Sequence, residues 1–210
     1  MVRISKVYTR VGDQGATHLG DGSAVPKSSV RVCAYGIVDE ANAQLGRAIA
    51  TIKTPGSETQ ERMRRALLSI QNDLFDVGAD LCAPITVGEQ PGERLRVLAS
   101  QADRIEAMID HYNEMLTPLD SFVLPGGSPL AADFHVVRTV VRRAERCAAE
   151  LLQIEREQTN PETLVYLNRL SDLLFVLARV ANDNGAADVL WEPGATRPPD
   201  GEPPEGGPAK

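Results

Sequence analysis

Leucine stands at positions 164, 167, 170, 173, 174 and 177 of this chain, in steps of three and four that spread apolar side chains around most of a helical circumference. A helix apolar on nearly every side needs neighbours on nearly every side, so the segment belongs near the centre of a bundle. Asn160-Pro161 opens it with a polar cap followed by proline at the first helical position, and Gly185 closes the region. Ser128-Pro129 is the same start signal for a preceding helix reaching to about residue 157. Upstream, Val32, Tyr35, Val38, Leu45 and Ile49 form one apolar face over residues 30–53, with Asn42 its polar exception and Thr54-Pro55-Gly56 its stop. Ser57 and Gln60, in capping-box spacing, open a helix that runs through Leu67, Ile70, Leu74, Phe75, Val77 and Leu81 toward Pro84. A weaker amphipathic pattern, Leu95, Leu98, Ile105, Met108 and Ile109, predicts a further helix over about residues 93–115. Five amphipathic helices without a strand series predict an all-α, up-and-down five-helix bundle.

At 210 residues the chain is the size of one domain able to bury its own core. It divides into an N-terminal loop, residues 1–29, whose glycines at 12, 15, 20 and 22 break any period, the bundle over residues 30–185, and a tail over 186–210. The tail is crowded with proline and glycine and shows no periodic face, so it is expected to be disordered. A net charge of −7 argues against nucleic acid or an anionic membrane as a general partner. Cys33, Cys82 and Cys147 are too few and too scattered for a disulfide framework, and read as small core residues in a reducing compartment. The N-terminus lacks an apolar signal core and no run is long enough to span a bilayer, so the expected location is cytoplasmic.

Chemistry concentrates in one stripe. His135, Arg138, Arg142, Glu145 and Arg146 recur at helical spacing, and a charged stripe is ordinarily just the solvated face. Three of the five are arginines, whose planar forks suit phosphate oxygens, and Arg143 widens the positive patch. Asn168 and Asp172 lie four apart inside the leucine-rich run, either as hydrogen-bonding core residues or as site residues. Asp39 poses the same choice and would suit an arginine partner. The stretch from Tyr8 to Gly20 offers backbone N–H groups, hydroxyls and Arg10, with Lys27 following; glycine-rich backbone can curl around an anion. It is not a Walker A loop, since the GxxxxGK[ST] order is absent.

Six stretches carry a resemblance: Tyr8-Thr-Arg-x-Gly-Asp-x-Gly, Ala34-Tyr-Gly-x-Val-Asp-Glu-x-Asn42, Ile70-Gln-Asn-Asp-Leu-Phe-Asp-x-Gly-Ala-Asp80, Phe122-x-Leu-Pro-Gly-Gly127, Arg142-Arg-Ala-Glu-Arg146 and Tyr166-Leu-Asn-Arg-Leu-Ser-Asp-x-Leu-Phe175. In this order, over about residues 8–182, they resemble the PduO-type ATP:cob(I)alamin (corrinoid) adenosyltransferases. The resemblance implies a homotrimer in which ATP and corrinoid meet at each subunit interface. It also implies that Thr9, Arg10, Val11, Gly12, Thr17, His18 and Lys27 wrap the nucleotide, joined by Arg142, Arg143, Ala144, Glu145, Arg146 and Asn168. Asp39 and Arg138 match the family's pair across the interface, Phe122 the aromatic that crowds the lower face of the corrin, and Asp172 a neighbour of that site. Ala16 stands where a hydroxyl residue is frequent, and His18 where a small one is.

The implied reaction moves the 5′-deoxyadenosyl group of ATP to the cobalt of cob(I)alamin, giving adenosylcobalamin and triphosphate, usually with Mg²⁺ on the phosphates. Cob(I)alamin is itself a strong nucleophile, so the protein has to position, shield and stabilise the leaving group, with Arg142 and Arg146 as first choices and Phe122 and Asp172 beside the metal. The implied partners are a reductase and an adenosylcobalamin-dependent acceptor enzyme. The rivals are a corrinoid-carrying scaffold without chemistry and an ATP hydrolase; a di-metal carboxylate bundle lacks its Glu-x-x-His pairs among the three histidines.

Overall fold

The computed structural model describes residues 8, 10–52 and 58–197. It holds five long helices: α1 Val30–Thr51, α2 Glu58–Cys82, α3 Ala99–Asn113, α4 Pro129–Ile154 and α5 Glu162–Ala181. A 3₁₀ turn, Arg156–Gln158, links the last two. Helix α4 is central, packed along α1 on one side and α5 on the other, while α2 lies against α1 and α3 against α5. None of the helices is long and apolar enough to cross a membrane, among the described residues.

The periodicity explains the packing. On α1 the buried apolar positions are Ala34, Val38, Ala41, Leu45 and Ala48, and the three alanines let α4 and α2 approach closely. Helix α4 answers with Phe134, Val137, Val141, Ala144, Ala148 and Leu151, and α5 with Leu167, Leu170, Leu173, Leu174 and Leu177. Ser128 caps α4 by accepting from Ala131 N–H (3.2 Å) while its own hydroxyl donates to the Ala181 carbonyl (2.8 Å). Asn160 Oδ1 accepts from Glu162 N–H at 3.1 Å, so the polar cap read before α5 is formed. The proposed Ser57 cap of α2 lies outside the described residues. On the α1 face, Asn42 Nδ2 donates to the Gln71 carbonyl at 3.1 Å, which is how a polar side chain is accommodated between α1 and α2.

Several expectations need correction. Helix α3 begins at Ala99, about six residues later than the apolar pattern suggests. Tertiary bonds claim the residues before it: Arg96 Nη1 donates to Asp80 Oδ1 (2.7 Å) and the Ala83 carbonyl (2.6 Å), and Val97 N–H donates to Asp80 Oδ2 (2.7 Å). The N-terminal loop contains a short antiparallel hairpin, β1 Ala16–His18 and β2 Ala24–Pro26, pairing Thr17 with Val25. Gly20 fastens it to the end of α2: its N–H donates to the Cys82 carbonyl at 2.8 Å, and a Cβ there would sit 3.0 Å from the Ala83 Cβ. The cysteines are not fully buried: Cys33 is exposed, Cys82 is half-buried, and Cys147 is half-buried and packed against the core, all three free. Residues 188–191 are not disordered; Leu190 bridges Val123, with bonds that tie this stretch to the segment before α4. Residues 198–210 lie outside the described residues.

One buried cation closes the end of the bundle. Arg31 is 2% exposed and pairs with Glu155 at 2.7 Å. It also donates to the Leu81 carbonyl (2.7 Å), the Gln158 carbonyl (3.0 Å) and Thr159 Oγ1 (3.0 Å). Removing it leaves one carboxylate and three acceptors without their donor, so Arg31→Met is expected to lose about 3 kcal/mol of stability, measured by urea unfolding. A loss below about 1 kcal/mol would show that water replaces the guanidinium freely.

Candidate functional site

The stripe on α4 is graded rather than uniformly solvated. His135 is buried against Phe175, ring centroids 6.3 Å apart, and Arg138 is half-buried with Nε lacking a partner among the described residues. Farther along, Arg142 and Arg146 are exposed. These last residues, with Glu145, form one wall of an open cleft of about 440 Å³ whose other wall is Leu164, Val165, Asn168 and Arg169 of α5. The floor is Ala149, small enough to leave room between the helices.

Hydrogen bonds order the cleft. Asn168 Nδ2 donates to Glu145 Oε1 at 2.9 Å, while Arg169 Nη1 donates to Asn168 Oδ1 at 2.6 Å, so the amide orientation is set from both ends. Arg169 in turn pairs with Glu106 of α3. Arg146 Nη1 donates to the Arg142 carbonyl at 3.1 Å, while the Arg142 guanidinium makes no hydrogen bond or ion pair among the described residues. A guanidinium left without an acceptor beside an apolar floor is suited to an anionic ligand. Asp172, one turn beyond Asn168, has its carboxyl pushed up by burial, Arg169 opposing, Glu145 adding and Arg142 opposing.

Other members of the expected set lie elsewhere. Ala144 is fully buried in the core, so its side chain cannot face a ligand; at one residue from the stripe it points about 100° away. Arg143 turns toward α1 and pairs with Glu40. Thr17 and His18 sit on β1, and Lys27 directly follows β2, its Nζ 3.0 Å from where a Cβ on Gly12 would be. Arg10 adopts φ +64° with its guanidinium 6.0 Å over the Tyr8 ring, and Val11 is exposed. Thr9 lies outside the described residues. None of the described residues of this N-terminal set lines the α4–α5 cleft of the same chain.

Asp39 opens onto a separate groove of about 250 Å³ between α1 and α2, lined also by Tyr35, Val38, Leu74 and the exposed Phe75. No ion pair joins it to Arg138 within the described chain. Burial, and then the like charge of Arg142, push the Arg138 guanidinium down from its ordinary value. Phe122 precedes α4 and is 76% exposed, tilted against Trp191.

A sequence profile for cobalamin adenosyltransferases matches residues 7–181. The chain belongs to the cobalamin adenosyltransferase family. A corrinoid adenosyltransferase of Mycobacterium tuberculosis H37Rv is 50% identical over 197 residues, spanning 93% of this chain and 97% of that one. One from Bacillus subtilis strain 168 is 40% identical over 188 residues, 89% of this chain and 92% of its own. Among solved structures, a phenylalanine-to-histidine variant of a PduO-type ATP:corrinoid adenosyltransferase from Lactobacillus reuteri, complexed with cobalamin and ATP, superposes with a TM-score of 0.79 at 34% identity. The match covers 90% of this chain and 97% of that one.

For an adenosyltransferase of this family the added residue worth noting is Arg169, which sequence reasoning passed over. A charged side chain next to Asn168 in an otherwise apolar run was its only signal. Burial and the cation of Arg138 push the His135 imidazole below its ordinary value near 6.5, Asp188 opposing. The folded state therefore binds fewer protons than the unfolded one once pH drops through that ordinary value, and stability falls with it. His135→Gln is expected to make the decline in unfolding free energy between about pH 7.5 and about pH 5.5 shallower; an identical slope in parent and variant would contradict the assignment.

Proposed function

We propose that this chain transfers the 5′-deoxyadenosyl group of ATP to cob(I)alamin, with Arg142 and Arg146 at the polyphosphate and Phe122 at the corrin. The observation that carries the reading is the α4–α5 cleft, where two exposed guanidinium groups stand beside Glu145 and opposite Asn168, in a chain of the cobalamin adenosyltransferase family. The cobalt lone pair attacks C5′, a cobalt–carbon bond forms, and the C5′–O bond breaks with its electron pair leaving on triphosphate. Charge grows on that leaving group, where fixed cations stabilise it without reorganising at the moment of reaction. Asn168 and Glu145, locked together at 2.9 Å, offer polar edges for the nucleoside.

The two halves of the site are joined in this reading by assembly. Arg10, Gly12, Thr17, His18 and Lys27 sit on the arm docked at the end of α2, away from the cleft of their own chain, so they reach the nucleotide held by a second copy in a homotrimer. Arg138 and Asp39, unpaired with each other within the chain, meet across the same boundary, and Asp172 lies beside the corrin. As for Mg²⁺, no three His, Cys, Asp or Glu side chains cluster as ligands among the described residues. Glu145 is the single acidic side chain lining the cleft and already accepts from Asn168. The residues present do not form a cage for the ion, so Mg²⁺ enters with the phosphates and no step is assigned to it.

The reading is tested anaerobically by adding cob(I)alamin and MgATP. Adenosylcobalamin is expected spectroscopically, with one triphosphate per turnover; phosphate or diphosphate in its place sinks the assignment. Arg142→Ala is expected to lower kcat/KM for ATP about 10²- to 10³-fold, and near-normal kinetics would remove it from the leaving-group role. Phe122→Ala is expected to impair turnover from cob(II)alamin more than turnover from pre-reduced cob(I)alamin, because crowding that face favours loss of the axial base before reduction. Equal losses in the two assays would refute that role.

A further inference from the structure

Phe122 projects into solvent, 76% exposed, from the segment between α3 and α4, and its ring lies against the Trp191 indole. What holds its backbone is a strap, residues 186–192, that leaves the end of α5 and runs antiparallel to it. Leu124 N–H donates to the Val189 carbonyl (2.8 Å) and Trp191 N–H to the Phe122 carbonyl (2.7 Å). Val123 and Leu190 form a bridge, and Ser121 Oγ donates to the Trp191 carbonyl at 2.7 Å. The Trp191 indole lies 6.1 Å from the Phe122 ring, tilted by 54°.

The root of the strap is a buried clasp. Arg179 Nε and Asp188 Oδ2 are 2.8 Å apart, with side chains only 6% and 5% exposed. The same guanidinium donates to the Thr117 carbonyl (3.0 Å), at the start of the Phe122 segment. Asn182 Nδ2 donates to Asp188 Oδ1 (2.9 Å) and its Oδ1 accepts from Ser128 N–H (3.2 Å), at the other end of that segment. Gly127 makes the final fit possible: it sits at φ +96°, and a Cβ there would overlap Asn182 Oδ1 at 2.3 Å. Both ends of the Phe122 segment and the base of the strap are thus fastened to one point at the end of α5.

We propose that Trp191 is a positioning residue for Phe122, and that the Arg179–Asp188 clasp delivers it: strap and indole hold the phenyl ring at the height where it crowds the corrin. This rests on the reading of Phe122 given above. An exposed ring free to swing fills no fixed volume, so its effect on the metal depends on whatever stops the swing. Misplacement of a reacting or shaping group by about 1 Å is enough to cost about 10²-fold in rate.

The full chain and its Trp191→Ala, Trp191→Phe, Asp188→Asn and Phe122→Ala variants are compared in two assays, one starting from cob(II)alamin with reductant, the other from pre-reduced cob(I)alamin. In parallel, the electron paramagnetic resonance spectrum of cob(II)alamin with MgATP reads loss of the axial base. Trp191→Ala is expected to lower the ratio of cob(II)-dependent to cob(I)-dependent turnover about tenfold and to weaken the four-coordinate signal, with Trp191→Phe retaining most of both. Added to Phe122→Ala, it should lower the ratio no further. Equal losses in both assays, or an unaltered ratio and spectrum, would overturn the inference. Asp188→Asn offers a second route should the indole variant fold poorly: hydrogen exchange at the Leu124 and Trp191 amides should quicken and the ratio fall. Quicker exchange with an unaltered ratio also overturns it. If Phe122→Ala itself loses both activities equally, the underlying reading of Phe122 has failed. Exchange over residues 121–124 then decides the positioning role separately: quickened in Trp191→Ala it stands, unaltered it falls.

Discussion

Helix α4 is packed on two sides, by α1 and by α5, and that leaves it one narrow strip for polar groups. Everything cationic in the stripe has to use it. The consequence is a gradient along a single helix, from buried His135 through half-buried Arg138 to exposed Arg142 and Arg146. Because core residues Val137, Val141, Ala144 and Ala148 interleave with the stripe, the direction of each arginine is fixed by packing that has nothing to do with ligands. A rigid helix with a locked core face is a better platform for aiming charge than a loop.

The α5 wall of the cleft depends on the same economy of burial. Asn168 interrupts an apolar run, and its amide is satisfied at both ends by Glu145 and Arg169, so a polar group that would otherwise oppose folding becomes an oriented edge. Arg169 reaches further to Glu106, tying α3, α5 and α4 into one line of polar contacts that ends at the cleft. The arm carrying Lys27 and the hairpin is held by backbone, through Gly20 and the Cys82 carbonyl, at the end of α2.

How much of this was legible in the sequence follows from the range of the forces involved. Helices α1, α2, α4 and α5 are written in local periodicity and caps, and Ser128 and Asn160 do what their position before proline suggests. The start of α3 was missed because Asp80, far upstream, pulls Arg96 and Val97 out of a helix that their own pattern permits. The paired strap has a like reason: residues 188–191 have no periodic face of their own, and their partner lies far upstream, 70 residues earlier in the bond from Ser121 to Trp191. Helical spacing puts Arg142, Glu145 and Arg146 on one face, and they line one cleft, whereas Arg143 pairs with Glu40 and Ala144 is buried in the core, since neighbours on a helix point about 100° apart and end on other faces. Average burial by residue type says little about three particular positions, and of the cysteines only Cys147 packs against the core.

The chain contains a single tryptophan, and it is the one lying across Phe122. All indole emission from the protein therefore originates at one spot. Corrinoids absorb strongly through the near ultraviolet and visible, so a macrocycle seated there would drain that emission by energy transfer, whereas a nucleotide in the α4–α5 cleft has no absorption band to do so. The fold has given the molecule an intrinsic optical probe that distinguishes its two ligands without any label.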